Sequence, residues 1–382
     1  MERRTLKVRV VISAGLIAIA ICYWAFKRRT TPILPPTTAG RTVAKPQLDP
    51  RSNSANVTSN HLQEAIQHLS STSSPLVARD GLNELRGHLQ SLPPDEASRV
   101  IREFLDSKVD TLTRLGFKVG PGGSLSESPS LRVFLLDCLA QLDPAAGAAY
   151  SEKILATIDS PDEWAIAMRN YTRGNSTIEG RSFLQQKLQT MLTHEPWIRE
   201  PSAGFLEAFD VAVYVAGVNL LPPLTALVQM KDNEAVAHAA FLALDRMVIS
   251  QPAEVLTVLE QQPAMMRGRE QTRANYFARA DLSDAAQRGV VERYLLNPER
   301  ASSEVQTFAG VFPNANYMIS HNLLTSNVTP DSPSLLRRDR EALRVVGEWL
   351  ADPRFEHLRP YLTRIQQRLG DFVRQADSSK RR

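Results

Sequence analysis

"LPPLTALVQMKDNEAVAHAAFLALDRMV", residues 221–248, decides the fold. Leu221, Leu224, Leu227 and Val228 recur at spacings of three and four, which puts an apolar stripe on one face of an α-helix. "KDN" is a turn. Beyond it Val236, Ala239, Ala240, Leu244 and Met247 form a second stripe with the same period. Two amphipathic helices joined by so short a turn must bury their stripes against each other, as a helical hairpin.

Helical signals extend on both sides of this unit. In "HLQEAIQHL", Leu62, Ala65, Ile66 and Leu69 lie at i, i+3, i+4 and i+7. "SSPLVARDGLNEL", "LPPDEASRVIREFL", "LDPAAGAAY", "DSPDEWAIAM" and "SQPAEVLTVLEQ" each place proline in a first helical turn, where its missing N–H costs nothing. Several set Ser or Asp just before it as an N-cap. Period-two runs closed by Asn-Gly or Asp-Gly are absent, so no sheet is expected. In "FEHLRPYLTRIQQRLGDF", Phe355, Leu358, Leu362, Ile365, Leu369 and Phe372 mark a seam, with Pro360 as a kink or fresh start. About fifteen short helical segments with brief turns predict an all-α protein of stacked helical hairpins over residues 60–376.

The 221–248 unit resembles a HEAT repeat, in which a leucine-rich first helix turns through an Asp/Asn corner into a Val/Ala-rich second helix. It departs from that pattern at Ala237, where the family often carries Arg. The resemblance covers one unit closely and residues 61–375 loosely. It implies an irregular right-handed α-solenoid of about eight hairpins, at about 40 residues each.

Ahead of this domain, residues 1–9 are short and basic, and Val10 to Phe26 is a charge-free apolar run followed by Lys27, Arg28 and Arg29. Tyr23 and Trp24 suit a headgroup interface, and no small-residue cleavage site follows, so 10–26 is expected to be an uncleaved transmembrane anchor. Residues 27–59, rich in Pro, Thr and Ser, read as a disordered tether, and 377–382 as a basic disordered tail. A single-pass protein with its large domain periplasmic or otherwise extracytoplasmic is the expectation.

The basic pI of 9.1 belongs to this amino-terminal region. Residues 1–59 hold ten cations and two anions, net +8, which leaves −4 for residues 60–382 out of the whole-chain +4. A mildly acidic domain lacks the electrostatic footprint of a nucleic-acid binder. Within "RGREQTRANYFARA", Arg267, Arg269, Arg273 and Arg279 read as a solvated face. Of the two cysteines, Cys22 falls in the anchor and Cys138 in a core helix, so no disulfide framework is expected.

Motifs for chemistry are weak. "LGFKVGPGGSLSESPS" offers four glycines but no Lys-Ser/Thr after them and no strand before, and reads as a flexible connector instead of a phosphate cradle. His194-Glu195 lacks the second His of a zincin, GxSxG is missing, and the seven histidines are scattered. No catalytic residue, cofactor or metal is expected. Most informative is the run 305–330, which holds no Lys, Arg, Asp or Glu. "VFPNAN" reads as a turn, Asn316 as an N-cap and "YMISHNLL" as a short helix. Three readings compete: a structural segment bonded to neighbouring helix ends, a partner-binding site at Asn314, Asn316, Tyr317, His321 and Asn322, and a catalytic site near Tyr317 and His321. The sequons at Asn56, Asn170, Asn175 and Asn327 would matter only after export through a glycosylating compartment. Together these features predict a membrane-anchored scaffold or adaptor for another protein or peptide. An enzyme with a site near Tyr317 and His321, or a purely structural envelope spacer, are the alternatives.

Overall fold

Prolines 75, 94, 144, 161 and 252 each begin a helix, as their positions after caps and turns predict. The computed structural model of the chain describes residues 62–318, 320–327 and 329–379. The anchor, the tether and residues 380–382 lie outside the described residues. Among the described residues, helices account for 73% and strands for 2%, which makes the class all-helical. None of these helices is long and apolar enough to cross a membrane.

The first helix, α1, covers residues 62–71. Then come α2 (Pro75–Ser91), α3 (Pro94–Asp106), α4 (Leu131–Leu142), α5 (Pro144–Leu155), α6 (Pro161–Gly174), α7 (Ile178–Leu192), α8 (Glu195–Arg199), α9 (Ala203–Glu207) and α10 (Asp210–Val215). The second half holds α11 (Leu221–Val228), α12 (Glu234–Ser250), α13 (Pro252–Gln261), α14 (Glu270–Phe277), α15 (Ala285–Leu296), α16 (Ser302–Val311), α17 (Ser332–Ala351) and α18 (Arg359–Ser379). Helix α18 runs to Ser379, past the boundary read at residue 376. Neighbours in sequence pack as α4–α5, α5–α6, α11–α12 and α17–α18, while α10–α12, α13–α15, α14–α16 and α16–α18 pack one helix apart. The 221–248 hairpin forms as read: Asn233 caps α12 by accepting from the Val236 N–H, and Leu224, Leu227, Val236, Ala240, Leu244 and Met247 are buried between the two helices. Pro360 is a fresh start, in the first turn of α18. The carboxy-terminal seam is buried from Phe355 to Leu369, but Phe372 is exposed.

Helix α4 sits at the centre of the amino-terminal half and is buried on every face from Leu131 to Ala140. Such a helix cannot carry a charge uncompensated, yet Asp137 lies on it, fully buried. Its partner is Arg169 of α6, also fully buried, whose Nη1 donates to Asp137 Oδ1 at 2.6 Å and to the Gly123 carbonyl at 2.7 Å. The rest of that guanidinium donates to Asn170 Oδ1, and Asn170 Nδ2 donates to the Leu136 carbonyl. Asp137 further accepts from Gln141 Nε2 and the Leu125 N–H, with Arg86 Nη2 at 3.6 Å. Burial and this bond pattern also close Asn170 as a sequon in the folded chain.

The glycine-rich segment is therefore an ordered piece of core and not a flexible connector. Lys118–Val119 (β1) and Leu125–Glu127 (β2) pair antiparallel, a small sheet that the period-two argument missed. Between them Gly122 and Gly123 take φ of 67° and 73°, left-handed values that other residues adopt at a cost. The loop turns its carbonyls inward, to Arg169 from Gly123 and to Arg173 from Gly122. A phosphate cradle would need the N–H groups there instead.

Two cations read as a solvated face are buried pairs. Arg273 clamps Glu304 of α16 with bonds of 2.8 and 2.7 Å, and Arg279 clamps Asp245 of α12 at 2.5 and 2.7 Å. Bidentate geometry makes each a strong, directional link, Arg273 from α14 and Arg279 from the turn after it, to a helix more than thirty residues away.

Removing one partner of the central pair tests this account. Arg169→Met should lower the stability of the chain by about 3–5 kcal/mol in urea unfolding, because Asp137 is left buried without its direct bond to a cation, Arg86 standing 3.6 Å away. Adding Asp137→Leu should recover much of that loss. A single variant within about 1 kcal/mol of the parent would show that the pair does not hold the core.

Candidate functional site

The neutral run crosses the body of the protein as a strap, residues 312–330, between α16 and α17. It contains no helix among its described residues, contrary to the reading of 317–324, and Asn316 caps nothing. Asparagine and serine side chains bond the local backbone here and so compete with a helix. Asn314 Oδ1 accepts from the Asn316 N–H, Asn322 Nδ2 donates to the Thr325 carbonyl, and Asn327 Nδ2 donates to the Ser320 carbonyl.

Charges on the body, not on the strap, fix its course. At its start Phe312 is buried against Phe308, with ring centroids 4.9 Å apart, and the Asn314 N–H donates to the Ala278 carbonyl at 2.7 Å. Arg279, already clamped to Asp245, donates to the Asn316 carbonyl at 2.8 Å and lies 5.9 Å from the Tyr317 ring centroid. Farther on, Asp210 of α10 accepts the N–H groups of Leu324 and Thr325 at 2.7 and 3.0 Å and the Thr325 hydroxyl at 2.5 Å. Arg246 of α12 closes this clasp, 2.8 Å from Asp210 and bonded to Thr325. From the other side the strap meets the glycine hairpin: a Cβ on Gly123 would stand 2.1 Å from the Leu323 carbonyl oxygen.

Between strap and body lies a cavity of about 820 Å³. Helix α12 forms one wall through Ala239, Leu242 and Ile249. Helices α9 and α10 supply Leu206, Glu207, Val213 and Tyr214, and the strap supplies Tyr317, Met318, His321 and Asn322. Ile249 and Met318 keep 37% and 57% of their surface exposed, so two large apolar groups face water at its rim. Glu207 is half-buried; burial and the Asp210 charge raise its pKa above the ordinary carboxylate value, and Arg246 opposes them. Burial likewise raises the Asp245 pKa against the pull of Arg279.

Of the five strap residues expected at a site, Tyr317, His321 and Asn322 line this cavity. Asn314 is buried and lines a smaller cavity of about 320 Å³ on the far side of Tyr317. Asn316 is exposed and lines neither, contributing its carbonyl to Arg279. The His321 ring lines the cavity and has no hydrogen-bond partner among the described residues. Cys138 lies in the α4 core, where burial pushes its thiol up to about 12. The described residues contain no cluster of three His, Cys, Asp or Glu arranged to hold a metal. Sequence reasoning missed Glu207, Asp210 and Arg246. A signal existed for Asp210, the one charge between Glu207 and Lys231. No family model matches the chain, and no curated protein and no solved structure matches it.

If the clasp holds the strap, Asp210→Asn should speed amide hydrogen exchange at Leu324 and Thr325 by about tenfold or more, with a smaller change in the core helices. Gly123→Ala should loosen the same segment from the hairpin side. Unchanged exchange in both variants would show that the strap is held by something else.

Proposed function

We propose that the chain is a membrane-anchored helical-repeat adaptor that binds a peptide segment of another protein in the cavity beneath the strap. The cavity carries this reading. About 820 Å³ lies within the range of ligand sites, and its apolar side chains are interleaved with the amides and carbonyls of an irregular backbone. Peptides offer both kinds of group, whereas a purely apolar ligand would leave the polar ones unpaired. Met318 adds an adaptable, polarisable rim contact.

Packing of helices both with the next in sequence and with the one after is the two-layer arrangement of an α-solenoid, which supports the HEAT-like reading. In that architecture a long surface presents ligand sites without chemistry of its own. The apolar run 10–26 would serve as the anchor and residues 27–59 as the tether that holds the domain clear of the bilayer, on its extracytoplasmic side.

A photo-cross-linking side chain in place of Leu242, in the full chain in its native membrane, tests the reading. It should capture a discrete polypeptide, identified by mass spectrometry, and Ala239→Trp, which fills the cavity, should abolish capture while the chain melts within a few degrees of the parent. Capture that persists with the cavity filled would reject the adaptor reading.

A further inference from the structure

The cavity beneath the strap does not end at Tyr317. Ile249, Tyr317 and Pro330 line both it and the smaller cavity of about 320 Å³, so the two adjoin along the carboxy-terminal half of α12 and are read as the two ends of one groove. Their far ends carry opposite charge. At the α9 end, Asp210 and Arg246 neutralise each other in the clasp, which leaves the carboxylate of Glu207 without an ion pair or hydrogen bond among the described residues. At the α17 end, Arg279 is neutralised by Asp245, while Asp281 accepts from the N–H and hydroxyl of Ser283 and keeps its negative charge, which Arg337 and Arg338 outnumber among the lining residues. Arg337 and Arg338 make no contact ion pair among the described residues, although Asp331 attracts the first and Asp339 the second. Arg338 Nη2 donates to the carbonyls of Arg279 and Ala280, and its buried Nε has no partner.

From this arrangement we infer that the groove takes a peptide of fixed charge pattern: a basic side chain at Glu207, apolar side chains along Leu242, Ile249 and Met318, and a carboxylate at Arg337 and Arg338. The inference rests on the adaptor reading and specifies its ligand. Complementary charges at two separated points select a partner and fix its register more than they add raw affinity. Half-burial strengthens the demand at the acidic end: raising the Glu207 pKa means that its charge is poorly compensated, and an incoming cation would relieve that. The basic end is more exposed, Arg337 above all, so its contribution is screened more by salt.

Four synthetic peptides with one shared Leu- and Phe-bearing centre decide the matter, tested by fluorescence anisotropy against the full chain in lipid nanodiscs. Their ends are Lys and Asp, Lys and Lys, Asp and Asp, or Gln and Asn. The Lys–Asp peptide should bind about tenfold more tightly than the others, the effect of one well-placed charge pair. Glu207→Lys should make the Asp–Asp peptide the best ligand, and Arg337→Glu, at an exposed position that does not endanger folding, should make the Lys–Lys peptide the best. A merely structural role for Glu207 would weaken all four alike and lower the melting temperature. Equal binding of the four, unmoved by either variant, overturns the charge pattern but leaves the adaptor reading intact, which the cross-link from position 242 judges separately. Tighter binding by a peptide copying residues 27–59 than by Lys–Asp would make the occupant the chain's own segment and overturn a foreign partner. Failure of all four to bind rejects the inference.

Discussion

The ion pair between Asp137 and Arg169 is the constraint on which the rest of this structure hangs. A carboxylate placed on a helix that is buried all round has to be met by a cation, and the cation that meets it also reaches the Gly123 carbonyl. That second bond fixes the tip of the hairpin. Gly123 then presents a backbone without a Cβ to the Leu323 carbonyl, so the strap can pass close enough for Asp210 to take the N–H groups of Leu324 and Thr325. The groove exists because the strap follows that course. A polar error in the core would thus be felt first at the surface, as a displaced wall of the site.

Buried ion pairs seldom add net stability over well-packed apolar residues of similar volume. What they supply here is direction. Arg132 with Glu163, Arg169 with Asp137, Arg273 with Glu304 and Arg279 with Asp245 each join elements 31 to 34 residues apart, or about one helical hairpin. Apolar stripes of Leu, Val and Ala are interchangeable enough to slide one turn past each other. A planar guanidinium engaged by two carboxylate oxygens, as in the pairs of Arg132, Arg273 and Arg279, is not, and Arg169 gains the same directionality by bonding Asp137, Asn170 and the Gly123 carbonyl at once. The chain uses arginine at this interval to set the register of helices that hydrophobic burial alone would leave ambiguous.

How far this was legible in the sequence follows from the range of each interaction. Helix starts at Pro75, Pro94, Pro144, Pro161 and Pro252 were readable because proline acts within one turn. The 221–248 hairpin was readable for the same reason, its stripes and turn being contiguous. Arg273 and Arg279 were misread as solvated because their partners lie 31 and 34 residues away, beyond any periodicity argument. The helix expected at 317–324 failed because Asn314, Asn322 and Asn327 satisfy the backbone locally, and because Asp210, over a hundred residues earlier, takes two amides that a helix would have used. The strap's lack of charge and the solitary charge of Asp210 in its own apolar stretch are two halves of one signal. Each reads as a curiosity alone, and only their juxtaposition in space explains both.

Placing the charges on the body and leaving the strap neutral has a consequence for binding. A strap carrying its own Lys or Asp would have offered those groups to a ligand and to solvent alike. Here most of its polar groups are spent inward, on each other and on Asp210, Arg246 and Arg279, so the face turned to the groove is Tyr317, Met318, His321 and amide edges. Ordering an irregular segment of this length costs conformational entropy, and the clasp meets that cost during folding instead of at the moment of binding. On the proposed reading a ligand would find one wall already in position, with Glu207 at one end and Arg337, Arg338 and Asp281 at the other. Under that proposal discrimination would lie at the ends of the groove and the middle would stay tolerant, a division suited to a surface that accepts a sequence pattern and not one sequence.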